Sequence, residues 1–257
     1  MRKQPEPVEL PARLQRPLLR ALQPGRELST ATEQWLVQGL TTALPDLRVA
    51  RLFELRRDML TDADYLVCAV GPEEGTAVGL LASHWMELPS GRSCLHVTVQ
   101  FIGDRYRHGS TFRRSWAELF SRLRDDGRGF PDVVALKTYN PVVHCAMSAF
   151  GAHPEIGLYP LLDSIGAAAG GSTPVAAELV AEVAEAVAPG ARFDRNHGVI
   201  RAIGRPTDLY RNRPLSSVAD VDAYFAAHVD PGDRILCLLH FATPAAKQAV
   251  LSALGVS

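Results

Sequence analysis

LHVTVQFIGDRYRHGSTFRRSWAELFSRL, residues 95–123, reads as a strand, a basic turn and a helix. Leu95–Ile102 is apolar and rich in β-branched and aromatic residues, as a buried strand is. Phe112, Trp116, Leu119, Phe120 and Leu123 then fall on one helical face, with Arg113, Arg114, Glu118 and Arg122 mostly elsewhere. Between them the turn Gly103–Thr111 carries Arg105, Arg107 and His108 beside the small residues Gly109 and Ser110. A helix start presents unpaired N–H groups and the positive end of the helix dipole, so this junction suits an anion.

The flanking sequence extends the pattern. Strands are expected at Tyr65–Val70, Ala77–Glu87 and Cys94–Ile102, and the intervening GPEEGT and LPSGRS are hairpin-type loops, which makes an antiparallel meander. Upstream, Thr30 and Glu33 have capping-box spacing, and Trp35, Leu36, Leu40 and Leu44 form an apolar helical stripe ended before Pro45. Leu47–Leu60 fits strand and helix equally. Residues 1–28 form a Pro- and Arg-rich arm, with a short helix expected around Leu18–Leu22. Downstream come a buried strand at Val133–Tyr139, Asn140, and a helix opening on Pro141 and running to about Phe150. Small residues at 161–173 read as a flexible linker or loop. Helices at Pro174–Val187 and Asp220–His228, a short strand in Gly198–Ile203 and a strongly apolar strand at Arg234–Phe241 follow. The last helix is capped by Thr243, with Pro244 in its first turn and Gly255 at its end. The organisation is an arm (1–28), a core (29–160), a linker (161–173) and a C-terminal portion (174–257) that completes the same sheet. The fold class is α/β (α+β): a mixed, mostly antiparallel central sheet flanked by helices, with an extended C-terminal portion.

Composition bounds the function. The chain has 257 residues, 47% of them hydrophobic, and a formal net charge of -1, an ordinary globular balance that gives no reason to expect nucleic acid. No apolar run approaches the ~20 residues of a membrane span, and the first residues carry no apolar signal core. Cys68, Cys94, Cys145 and Cys237 show no CxxC spacing, and three of them lie in apolar runs, which reads as buried thiols in a reducing, cytoplasmic compartment without a metal site.

The order of elements resembles the core of the GNAT acyltransferase superfamily: antiparallel meander, anion turn, helix, a strand parallel to its neighbour, and a helix opening with Asn. Two local matches carry the resemblance. Tyr106-Arg107-His108-Gly109-Ser110-Thr111 is similar to the family's Y-R-x-x-G-x-G pyrophosphate loop, and Thr138-Tyr139-Asn140-Pro141 to its strand-to-helix junction, whose Asn often touches the acyl-donor arm. Aligned on Arg107, Ser110 and Phe112 stand where the family has glycines, and Met147 stands where it often places an acidic Tyr.

The resemblance implies direct transfer of an acyl group from a pantetheine thioester, acetyl-CoA or another acyl-CoA, to the amine of a small molecule. Residues 29–160 would then be the donor-binding core. Phe101, Ile102 and Gly103 would line the pantetheine arm, Arg105, Arg107, His108, Gly109, Ser110 and Thr111 would hold the phosphates with help from Arg113, and Asn140 would touch the arm. His96 is the first candidate for the base that deprotonates the amine, with Glu87 and His84 next and His144 or Cys145 as substitutes for the missing acid. Each has a plain alternative: a hydrogen-bonded strand histidine, a solvated carboxylate at a strand end, a core histidine. Adjacent residues on a helix do not face each other, which weighs against a His144–Cys145 dyad. A close variant takes the acyl group from phosphopantetheine on an acyl carrier protein. A non-catalytic ligand-binding or regulatory domain, and thioester hydrolysis or decarboxylation, are the alternatives from other classes. The extra C-terminal elements, including RPTDLYRNRP at 205–214, are expected to build the acceptor pocket, a cover over an acidic or carrier-bound ligand, or an oligomer contact such as a homodimer.

Overall fold

The computed structural model describes residues 16–73, 75–107, 109–150, 152–162 and 173–256. Most of the expected linker at 161–173, most of the N-terminal arm and His108 lie outside the described residues.

Strand β1 (Leu18–Leu22) is followed by helices α1 (Thr30–Ala43), α2 (Val49–Leu55) and α3 (Asp58–Thr61). The meander β2 (Tyr65–Val70), β3 (Ala77–Glu87) and β4 (Ser93–Ile102) comes next, then α4 (Thr111–Asp125), β5 (Val133–Thr138) and α5 (Pro141–Phe150). The C-terminal portion adds β6 (Ile156–Tyr159), β7 (Thr173–Pro174), α6 (Ala177–Val187), β8 (Phe193–Asp194), β9 (Val199–Ile200), α7 (Ala219–His228), β10 (Arg234–Phe241) and α8 (Pro244–Leu254).

One sheet orders its strands β1-β2-β3-β4-β5-β10-β6-β7, with β9 also paired to β10 and β8 to β9. It is antiparallel except where β4 meets β5 and β6 meets β7. The C-terminal strand β10 inserts between β5 and β6, so the C-terminal portion completes the sheet that the meander begins.

Three helical expectations are corrected. Leu18–Leu22 is a strand, not a helix: LLRAL has helix-compatible composition, but pairing with β2 from Leu18↔Val70 to Leu22↔Leu66 overrides so short a local preference. Helix α1 is capped one residue earlier than the Thr30–Glu33 spacing implied, because the Ser29 hydroxyl accepts from Thr32 N at 3.1 Å. The ambiguous Leu47–Leu60 is helical, with Val49, Leu52, Phe53 and Leu60 buried. The helix expected from Pro174 starts at Ala177, since Thr173–Pro174 pairs with β6. At the C-terminus the Thr243 hydroxyl accepts from Ala246 N, and Gly255 ends α8 at φ 73.

Helices cover both faces of the sheet. On one face Trp116, Leu119, Phe120 and Leu123 of α4 pack with Met147 of α5, Phe225 of α7 and Val250 of α8 over Leu95, Val97, Leu136 and Cys237. On the other face two separate groups form. Helices α1 and α2 cover the β2–β4 half through Leu36, Leu40 and Phe53, while α6 covers β5 and β10 through Leu179, Val180 and Val183. The cleft between these groups is where the sheet changes from antiparallel to parallel. No helix among the described residues is long and apolar enough to cross a membrane.

Candidate active site

The β4–β5 ladder begins at Cys94↔Val133 and ends at Val97↔Leu136, yet β4 continues to Ile102. Beyond Val97 the two strands separate. A bulge marks the point of departure: Ala82 pairs with Val99 and Ser83 with Val97, so Thr98 is the extra residue, and its hydroxyl donates to the carbonyls of Met59 and Ala82 at 3.3 Å. A bulge bends its strand and re-aims the side chains after it. The separation opens into a cavity of about 710 Å³ lined by β3, β4, β5, α2–α3 and the 187–191 and 203–210 segments.

Two polar side chains here carry atoms with no hydrogen-bond partner among the described residues. His96 is only 8% exposed, lines the cavity, and its Nε2 makes no hydrogen bond among the described residues. Gln100 also lines the cavity, and neither atom of its buried amide is hydrogen-bonded. Buried polar groups are normally satisfied, so an unpaired amide and an unpaired imidazole around one cavity mark places for a ligand's polar atoms. His84 stands opposite His96 in the β3–β4 ladder, with its Nδ1 2.9 Å from Asp64 Oδ2. Burial first, and then the charges of Lys137, His84 and Arg56, hold the His96 imidazole well below the usual histidine range. His96 is therefore neutral near pH 7.

The cavity also holds residues that the sequence alone did not single out. Arg56 is fixed by Asp58 in a bidentate pair, Nε to Oδ1 at 3.0 Å and NH2 to Oδ2 at 2.8 Å. Lys137 of β5 and Arg234 of β10 reach in from the floor, and Tyr139 and Tyr210 close the end where β5 stops. A lysine inside VVALKTYN and an arginine opening RILCLLHF were visible as lone charges in apolar strands, but nothing local said they share a cavity.

The other sequence candidates are distributed as follows. Phe101 lines the cavity, and the carbonyl of Ile102 accepts from Arg107 Nε at 3.3 Å. Arg107 also pairs with Asp104 at 2.7 Å, which ties the turn to the end of β4. Gly103 and Arg105 line a different, smaller hollow of about 270 Å³ against the end of α1. Gly103 is buried there: its N–H donates to Val78 O at 2.7 Å, and a Cβ would lie 2.8 Å from that same oxygen. Ser110 precedes α4 without capping it through its side chain, Thr111 is buried in the first turn, and Gly109 N donates to Tyr106 O. The Asn140 carboxamide accepts from Val142 N at 3.0 Å, opening α5.

Three candidates lie elsewhere. Glu87 is exposed at the end of β3, outside the cavity, because the hairpin carries that strand end into solvent. His144 is fully buried in α5 among apolar side chains, with Nδ1 3.5 Å from Cys237 Sγ, and burial pushes its pKa down to about 4. Its sulfur neighbour is thus Cys237 rather than Cys145. Arg113 donates to Ala253 O of α8, so its charge serves helix packing and not the turn.

Residues 205–213 cross the open end of the cavity. Arg48 N donates to Leu209 O at 2.9 Å, Arg211 N to Asp46 O at 3.0 Å, and Leu47 bridges Tyr210, which fastens this strap to the α1–α2 connection. Tyr210 packs against the cores on both faces of the sheet, which places its ring in the gap between β4 and β5. Its ring lies 5.8 Å from that of Tyr139, over which Arg213 sits at 5.3 Å. Among the described residues no cluster of His, Cys, Asp or Glu is arranged to hold a metal ion.

No family model matches the chain, and no curated protein matches it in sequence. Similar solved structures include a GNAT family N-acetyltransferase from Escherichia coli in complex with CoA, at 16% identity and a TM-score of 0.36 over 51% of this chain and 67% of that one. A GNAT family acetyltransferase from Brucella melitensis in complex with acetyl-CoA gives 11% identity and a TM-score of 0.33 over 46% and 75%. The aminoglycoside 6'-N-acetyltransferase from Enterococcus faecium gives 14% and 0.32, and the match spans 47% of this chain and 60% of that one. Strand order, splay and cavity chemistry carry the functional reading that follows.

Proposed function

We propose that this protein is an N-acyltransferase that moves an acyl group from acetyl-CoA or another acyl-CoA to the amine of a small molecule. The observation that carries this reading is the β4–β5 splay, which opens into a cavity bearing the unpaired Gln100 amide and the unpaired His96 imidazole. A pantetheine arm is an extended chain of amides. It fits a strand edge that has lost its partner, and Gln100 offers it both a donor and an acceptor. The phosphates then fall toward the turn before α4, where Arg107 and the helix start supply positive potential.

In the reaction the amine nitrogen attacks the thioester carbonyl carbon, His96 Nε2 accepts the proton that nitrogen loses, and the carbon–sulfur bond breaks to release the thiolate. The thiolate takes a proton from water. Backbone N–H groups of β4 past the bulge stabilise the oxyanion. His144 takes no part, because its ring is enclosed in the core.

The test is to incubate the protein with acetyl-CoA, a long-chain acyl-CoA or an acyl carrier protein plus a panel of amines, and to follow donor binding and thiol release together. Amine-dependent thiol release from a CoA thioester is the expected result. Binding without release identifies a regulatory domain. Release without an amine identifies a hydrolase. Failure of every donor to bind overturns the reading.

A further inference from the structure

On the sheet face shared by α1–α3 and α6, four basic side chains stand on neighbouring strands: His84 on β3, His96 on β4, Lys137 on β5 and Arg234 on β10. Their common face follows from the two-residue period of a strand. Lys137 alternates with Val133 and Ala135, and Arg234 with Leu236 and Leu238, all of which lie under α6. The row crosses the floor of the cavity.

The charges in this row are not balanced. Among the described residues the Arg56 charge is met by Asp58, but neither Lys137 nor Arg234 has an ion pair with a carboxylate. Lys137 Nζ donates to the Val187 carbonyl at the end of α6. Arg234 NH1 donates to the carbonyls of Pro231 and Asp233, at 3.0 and 2.6 Å. Arg234 is accommodated by Gly204, where a Cβ would come within 2.1 Å of NH1, and it lies 5.8 Å from the Tyr139 ring centre. A desolvated cation held only by carbonyls is costly, and a carboxylate is the group that offsets this cost. Burial, and then repulsion by Arg56 and Arg234, push the Lys137 pKa down to about 8; Asp58, already paired with Arg56, offsets this only in part.

We propose that Lys137 and Arg234 bind the carboxylate of the acceptor, so that the amine acylated here belongs to an amino acid or a similar small aminocarboxylate. This rests on the acyl-transfer reading for the identity of the ligand. Single carboxylate geometry fits better than phosphate: one lysine and one partly committed guanidinium offer few donors, and Asp58 and Asp62, which line the same cavity, disfavour a second negative charge. The carboxylate at Lys137 and Arg234 points the amine along the floor toward His96, and the Gln100 side of the gap is left for the donor.

The experiment uses matched pairs, glycine, phenylalanine and glutamate against their α-amides, with the wild-type protein. Acetyl-CoA-dependent thiol release and thermal stabilisation by each acceptor alone are both read. We expect kcat/KM for the carboxylates to exceed that for the amides by about tenfold or more, and stabilisation by carboxylates only. Lys137→Met should abolish this preference through KM while leaving the acetyl-CoA Kd unchanged, and Lys137→Arg should restore much of it. Gly204→Ala, which displaces the Arg234 guanidinium, should also reduce it. Equal rates with acids and amides overturn the carboxylate site and leave acyl transfer standing. Stabilisation by carboxylates with no binding of any acyl donor overturns acyl transfer and leaves the site standing. If no carboxylate stabilises the protein, or if Lys137→Met matters only for a succinyl-CoA donor with a simple amine, the assignment to the acceptor is wrong.

Discussion

His96 combines two properties that matter for a base: it lines the cavity with a buried Nε2 that has no hydrogen-bond partner among the described residues, and burial and nearby cations reduce the affinity of its imidazole for protons. A lowered pKa keeps the base form populated to lower pH. Turnover limited by His96 should therefore stay level as pH falls through 6.5, the ordinary histidine value, and decline only well below it. An acid limb of the kcat profile that bends at or above 6.5 assigns the base elsewhere. His96→Ala should lower kcat by about 10²-fold and leave acetyl-CoA affinity unchanged.

Arg107 pairs with Asp104 and donates to the Ile102 carbonyl. Arg107→Ala should weaken CoA binding about tenfold, whereas Asp104→Ala, which frees the guanidinium, should not weaken it; titration calorimetry separates the two. His144 acts on stability instead. Its pKa is about 4 in the folded protein against an ordinary 6.5, so the unfolded chain binds a proton that the native state refuses. The resulting stability is complete above pH 6.5 and is lost as pH falls toward 4, a difference of roughly 3 kcal/mol. His144→Gln should flatten that acid limb in chemical denaturation at pH 4.5 and 7.

At the scale of elements, the strap at 205–213 and the bulge at Thr98 decide how the cavity opens. The strap is held to the α1–α2 connection by backbone hydrogen bonds and by the exposed pairs of Arg48 and Arg51 with Asp208 at 3.6 and 3.5 Å. If the proposed pantetheine arm enters along the β4–β5 gap, the Tyr210 ring lies in its path and must withdraw for the donor to bind. A protein whose competent state is only partly populated binds with an apparent Kd raised by that fraction. Tyr210→Ala should thus tighten acetyl-CoA binding several-fold, and CoA should speed hydrogen exchange in 205–213 of the wild type. Unchanged exchange and affinity rule out the strap as a gate. None of this was legible in RPTDLYRNRP, where Tyr210 between arginines reads equally well as a surface loop.

At the scale of the molecule, β1 and β10 close the sheet from opposite ends of the chain. Strand β1 covers the edge of β2, and Arg114 of α4 donates to Pro17 O beside it. An uncovered hydrophobic strand edge invites pairing with other chains. Deleting residues through Leu22 should lower the melting temperature by several degrees and promote aggregation, read by thermal scanning and light scattering. β10 has the opposite role: inserted between β5 and β6, it brings Arg234 to within two positions of Leu236, the partner of Lys137.

The periodic elements were determined by the sequence itself. The meander strands, α4, the Pro141 helix and the Thr243-capped helix all follow from apolar spacing and from caps, which act over a few residues and can be read over a few residues. The positions of His96 and Phe101 on β4, where they line the cavity, were legible for the same reason, since strand alternation and distance from the turn place them. The strand identity of Leu18–Leu22, the bulge at Thr98, the withdrawal of Glu87 and His144 from the site, and the meeting of Lys137, Arg234 and Tyr210 were decided only by tertiary structure. Each depends on a partner far along the chain, whose pairing or packing energy outweighs the local preference and leaves no mark in the neighbouring sequence.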